Sequence, residues 1–177
     1  MQSPLPVFAL LFNALVWGLT WWPFRQMNDA GLHPLWATAV MYIMVLVGLL
    51  ALRPGILKQL AAHPGLWVLA LSSGLNNVAF NWAITIGDVV RVILLFYLMP
   101  AWAILLAWKV LGERPTPAAI ARLLLAFAGV FLVIWPKDGG FARLFAALSL
   151  ADWLALFGGF MFAFTNVTLR RMSSTPG

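Results

Sequence analysis

Between Arg91 and Lys109 stand 17 residues without a charge, Val92 to Trp108, with Pro100 near the middle. About 17 apolar residues can just cross the hydrocarbon core of a bilayer. Pro100 has no N–H to give the preceding turn, so it kinks the helix that such a run must form. In lipid a break of this kind survives only where it is buried in protein or lines a cavity. Asp88 can cap the helix start and face Arg91 three residues on. At the far end Lys109 marks the interface, Gly112 suits the left-handed residue after a helix, and Glu113-Arg114 lie in water. Thr116-Pro117 then restarts a helix, with threonine as cap and proline in its first turn. The stretch reads as a tight membrane hairpin.

Composition extends that reading to the whole chain. Hydrophobic residues make up 63% and charged residues 9%, with a mean hydropathy of +0.95, outside the soluble range. The net charge of +6 does not imply nucleic acid, because the basic residues stand singly or in pairs between apolar runs, as membrane flanks do. There is no cysteine, hence no disulfide framework and no thiolate chemistry. The first 20 residues carry no Lys or Arg, so the first apolar run reads as a retained helix and not a cleaved signal. Six apolar segments are expected, at roughly 5–25, 34–52, 65–86, 89–111, 117–135 and 150–169. His33-Pro34 opens the second and His63-Pro64 the third, and Ser149 with Asp152 forms a capping box before the sixth. The two histidines are boundary residues with no third ligand nearby, so no metal site is expected.

Leu98-Met99-Pro100, then Leu105-Leu106-Ala107-Trp108, then Leu111-Gly112-Glu113-Arg114-Pro115-Thr116 resembles the EamA repeat of the drug/metabolite transporter superfamily. Residues 10 to 135 resemble the family in order and spacing, including Trp17-Gly18 in the first helix. An internal echo supports a second copy. Sliding the chain by 145 residues lays Ala14 and Gly18 over Gly159 and Ala163, Thr20 over Thr165, and Arg25 over Arg170. Small residues four apart let helices approach closely. Five helices per copy is odd, so a second copy is inverted, a common transporter architecture with substrate held near the midplane. The fold expected is an all-α polytopic membrane protein: a five-helix repeat over 1–146, then the first helix of an inverted second repeat over 147–177. The family's full form has ten helices, and the chain reads as a fragment or as a half that needs a partner. An inner side receiving Arg53, Lys58, Lys109, Arg114, Arg122, Arg170 and Arg171 outweighs an outer side with Arg25, Arg91, Lys137 and Arg143, seven to four. That asymmetry places the N-terminus in the cytoplasm.

Polar residues within membrane spans are functional candidates. Ser73, Asn77, Asn81 and Thr85 recur every four residues in the third segment, a slowly turning stripe about 18 Å long, with Asn76 beside it. A stack of amides can line a path for polar, uncharged or zwitterionic solutes; the plainer alternative is hydrogen bonding between helices. Asn13, Trp17 and Thr20 add a face of the first segment, Tyr97 and Trp102 flank the Pro100 kink, and Thr165 and Asn166 would complete a site from the sixth. Aromatic walls with a few polar groups are typical of small-molecule sites, although tryptophans also serve as interface anchors or packing. All five acidic residues lie at segment ends or in loops, so no central carboxylate supports proton exchange. No enzyme or ATPase motif is present, and no cofactor is expected. The resemblance implies a bacterial-type inner-membrane carrier that moves small organic metabolites or drug-like solutes by alternating access. Two alternatives remain open: a half-size carrier acting as a homodimer, and a non-transporting membrane scaffold.

Overall fold

Prolines and short polar side chains set the helix ends. Pro34, Pro64 and Pro117 each stand in a first turn, where a missing N–H leaves nothing unsatisfied. His33 Nδ1 accepts from the Leu35 N–H at 3.2 Å, Asp88 Oδ1 from Arg91 N–H at 2.8 Å, and Thr116 Oγ1 from Ala119 N–H at 3.2 Å. The computed structural model describes residues 5–135 and 148–173. Among the described residues there are helices and no strands: α1 Leu5–Leu19, α2 Trp21–Asp29, α3 Pro34–Leu52, α4 Ile56–Ala62, α5 Pro64–Ile86, α6 Val89–Phe96, α7 Met99–Leu106, α8 Pro117–Ile134 and α9 Leu150–Ser173. Lys137, Asp138, Arg143 and the expected repeat boundary at 146/147 lie outside the described residues.

Four helical stretches are long and apolar enough to cross a membrane: Leu5–Asp29, Pro34–Leu52, Val89–Leu111 and Leu150–Ser173. The protein is a polytopic all-α membrane protein. Two of the expected segments fall short of that measure for different reasons. The 23-residue α5 is long enough, and its polar stripe lowers its hydropathy. The apolar part of α8, Pro117–Leu132, is short. The first segment runs on to Asp29 instead of ending near Arg25, with a break at Thr20 where Pro23 has no N–H for the Leu19 carbonyl. The fourth is interrupted at Tyr97-Leu98, just ahead of Pro100, and closes in a π-helical turn, Ala107–Leu111. Gly112 then takes φ 72°, the left-handed conformation that glycine adopts without strain, and Glu113 N–H returns to the Ala107 carbonyl at 3.3 Å. The short α4 has no counterpart in the sequence reading.

The centre of the bundle is α9 lying against α5, α6 and α7. Its buried residues Ala151, Ala155, Gly159, Ala163 and Val167 recur every four positions, a face of mostly small side chains. Against α5 it runs antiparallel: Gly87 meets Ala151, Gly158 meets Asn76 and Ala79, Ser72 meets Thr165, and Gly65 meets Met172. Alongside α6–α7 it runs parallel, pairing Asp152 with Arg91 at one end and Arg170 with Glu113 at the other. Ile84, Val92, Leu95, Leu98 and Ala155 belong to the core between them. By contrast α1 buries none of its residues, and α3 buries only Pro34, Ala37 and Thr38.

Candidate functional site

On α5 the buried polar residues are Ser72, Asn76, Asn77, Asn81 and Thr85. Spacings of four along an α-helix bring side chains onto one slowly turning face, and two partners divide that face. Toward α9, Ser72 Oγ receives the Thr165 hydroxyl at 2.8 Å. Toward α3, Asn81 Nδ2 donates to Thr38 Oγ1 at 3.3 Å. Within the helix, Ser72 Oγ donates to the Leu69 carbonyl at 3.2 Å, Asn77 Nδ2 to the Ser73 carbonyl at 2.8 Å and Thr85 Oγ1 to the Asn81 carbonyl at 2.6 Å, while the Asn76 amide makes no hydrogen bond among the described residues. These bonds leave the amide oxygens of Asn76, Asn77 and Asn81 buried with no hydrogen-bond partner. A buried acceptor left unsatisfied costs on the order of 1–3 kcal/mol, so three of them on one helix are not what helix-to-helix bonding alone would select.

The other expected residues are placed unevenly. Trp102 on α7 sets its ring edge-on to Phe160 of α9 at 5.6 Å, and its indole N–H is buried without a partner. Trp17 meets Phe80 of α5 edge-on at 6.2 Å while remaining 46% exposed. Thr20 donates to the Val16 carbonyl at 2.7 Å, and Asn166, exposed on α9, donates to the Phe162 carbonyl at 2.9 Å. Asn13 and Tyr97 are exposed, and Ser73 is half-buried. The structure therefore gathers Asn77, Asn81 and Thr165 with Ser72, Thr38 and Asn76, and leaves Asn13, Tyr97 and Asn166 outside that group. Ser72 and Thr38 were missed by the sequence reading. Ser72 is the neighbour of a stripe member, and Thr38 is a lone hydroxyl in an apolar helix, so only the packing reveals either.

A separate cleft lies away from this face. It holds about 790 Å³ between α1–α2 and α3, with Val16, Leu19, Met41 and Met44 among its walls. Of the expected residues it carries Thr20, whose hydroxyl donates to the Val16 carbonyl, and its other walls are mostly apolar. Its size alone does not make it the site.

Charge is confined to the two ends of the central helices. Arg91 pairs with Asp152 through two bonds, Nε–Oδ1 at 2.8 Å and Nη2–Oδ2 at 3.0 Å, and the carboxylate is 2% exposed. Asp152 also accepts from Ser149 N–H at 2.8 Å, while Ser149 Oγ accepts from Asp152 N–H at 3.3 Å, the reciprocal box that the sequence suggests. The sequence reading set Arg91 beside Asp88; in the fold Asp88 caps the backbone and the guanidinium reaches α9 instead. Arg25 of α2 donates to the carbonyls of Ile84 and Gly87, closing the last turn of α5 at the same end. At the opposite end Arg170 meets Glu113 at 2.6 Å, with both side chains at least half exposed. Among the described residues no group of His, Cys, Asp and Glu is arranged to hold a metal ion.

Compared with known proteins, residues 4–135 match the sequence model of the EamA-like transporter family. No match was found among curated proteins or among solved structures.

Proposed function

Because the chain belongs to the EamA-like transporter family, a family of membrane transporters of small solutes, we propose that it is a secondary carrier of small organic solutes. It sits in a bacterial-type inner membrane with six spans, α5 and α8 included, and a cytoplasmic N-terminus. The observation that carries this reading is the polar face of α5. Asn77 and Asn81 lie within a helix whose opposite side, Leu71 and Leu75, is exposed and apolar. In hydrocarbon such a face needs partners or a solute path. Alternating access fits the broken fourth run, where the interruption at Tyr97-Leu98 lets α6 and α7 move separately. A homodimer is the second reading. It is favoured by Asn13, an amide standing exposed on a helix that buries nothing, which a further set of helices would cover.

Counterflow of radiolabelled solutes into proteoliposomes tests the proposal. Asn77→Leu with Asn81→Leu is expected to abolish flux, while the amount of folded protein stays within about twofold of the parent. Equal flux per folded molecule would mean that the face only joins helices.

A further inference from the structure

At the end of the bundle away from Asp152, a cleft of about 270 Å³ lies between α8 and the last turns of the fourth run. Its rim is polar: Arg114, Arg170 and Glu113, with Thr116 beside them. Its walls are small and apolar, among them Ala103, Ala107 and Ala119. Ala103 stands nine residues before Gly112, roughly 13 Å along the axis, so the cleft leads from the aqueous turn toward the bilayer interior. The π-helical turn Ala107–Leu111 forms part of this wall, and such turns are frequent at functional sites. Trp108, in that turn, is 51% exposed, as befits an aromatic anchor at headgroup level.

The rim carries two positive charges and one negative. Arg170 Nη2 donates to Glu113 Oε1 at 2.6 Å, which engages one of the five N–H groups of its guanidinium. Among the described residues Arg114 makes no hydrogen bond or ion pair. The Thr116 hydroxyl accepts from Ala119 N–H and keeps its own proton to give. We infer that this cleft binds the phosphodiester of an anionic phospholipid, with Arg114 and Arg170 on the phosphate and the alanines against the glycerol and upper acyl carbons. Arginine suits that task because its planar fork offers parallel N–H groups to phosphate oxygens. The surplus positive charge of the rim matches the single negative charge of a phosphodiester. A zwitterionic headgroup would bring an ammonium into a net positive rim whose carboxylate already holds Arg170. The volume is that of roughly nine waters at about 30 Å³ each, room for a phosphate and its glycerol but not for two acyl chains. A soluble phosphate ester would use the same arginines and leave the apolar walls wet.

The inference needs a chain that spans a bilayer, not the carrier reading. In the proposed orientation this end meets the cytoplasmic leaflet, whose surface is anionic. The purified protein in non-ionic detergent is titrated with four ligands, and bound adducts are measured by native mass spectrometry. The ligands are dioleoylphosphatidylglycerol, dioleoylphosphatidylcholine, dioleoylglycerol, which lacks phosphate, and glycerophosphoglycerol, which lacks acyl chains. Phosphatidylglycerol is expected to bind about fivefold or more tightly than each of the others. Arg114→Gln and Arg170→Gln should each weaken it by about fivefold, while Arg53→Gln, outside the cleft and on the same side in the proposed orientation, leaves it unchanged. Phosphatidylcholine or dioleoylglycerol binding as tightly as phosphatidylglycerol overturns the inference, as does an equal loss from Arg53→Gln, which would mean diffuse surface charge. Glycerophosphoglycerol binding as tightly as the lipid would make the cleft a site for soluble phosphate esters and overturn it too. The four affinities of the parent protein decide the matter even if a variant misfolds. Failure here leaves the carrier standing, and absence of solute flux leaves the lipid site standing.

Discussion

Gly159 shows how closely single residues are fitted where the fourth run breaks. Pro100 has no N–H for the Phe96 carbonyl, and that oxygen lies against Gly159 of α9, where an added Cβ would come within 2.7 Å. Gly158, next to it, faces Ala79 and the α5 backbone, and a Cβ there would stand at an ordinary 3.6 Å. Alanine at 159 should therefore destabilise the fold by about 1–3 kcal/mol, the usual scale of overpacking. Alanine at 158 should be neutral or slightly stabilising through the lower helix entropy cost of alanine. Denaturant unfolding midpoints in detergent check the pair. The need for a small residue at Gly159 was visible in the sequence only as an echo of Ala14 and Gly18. That it accommodates the Phe96 carbonyl was not visible, because the contact joins residues 63 positions apart.

At the level of helices, α6–α7 and α9 are joined at both ends by ion pairs of unequal strength. Arg91 and Asp152 form a two-pronged bond with the carboxylate buried, while Arg170 and Glu113 are exposed. Removing one member of a buried pair leaves an uncompensated charge and costs roughly 3–5 kcal/mol; the 29% exposure of Arg91 argues for the lower part of that range. Asp152→Ala should therefore lower stability by about 3 kcal/mol, and Glu113→Ala by less than about 1 kcal/mol. Thermal melts of the two variants separate the cases, and equal losses would contradict the assignment. The helices themselves were legible from apolar runs bounded by His33-Pro34, His63-Pro64 and Thr116-Pro117, because caps and prolines act locally. The partners were not. Ser149 with Asp152 could be read as a box, but nothing in spacing indicates that Asp152 also holds Arg91. Likewise the Asn77–Asn81 face was visible as a period of four, whereas its division between Thr38 and Thr165 depends on which helices pack beside α5.

At the scale of the molecule, polar and charged groups of the central helices are sorted by depth among the described residues. Arg25, Arg91 and Asp152 sit at one end, Glu113 and Arg170 at the other, and the amides of α5 lie between them. The proposed orientation rests on the seven-to-four division of Lys and Arg in the sequence. The absence of native cysteine allows a clean test: Lys58→Cys should label only from the cytoplasmic side and Asp29→Cys only from outside. The reverse pattern would invert the topology. The central claim is that the polar face of α5 is wet and lines the solute route. It is tested most directly by placing single cysteines at Asn77, Asn81 and Leu71 and exposing proteoliposomes to a small charged thiosulfonate. Asn77→Cys and Asn81→Cys are expected to be modified, with loss of flux and with protection by transported solute, while Leu71→Cys stays unreacted in lipid. Cysteines at Asn77 and Asn81 as inert as the one at Leu71 would contradict it.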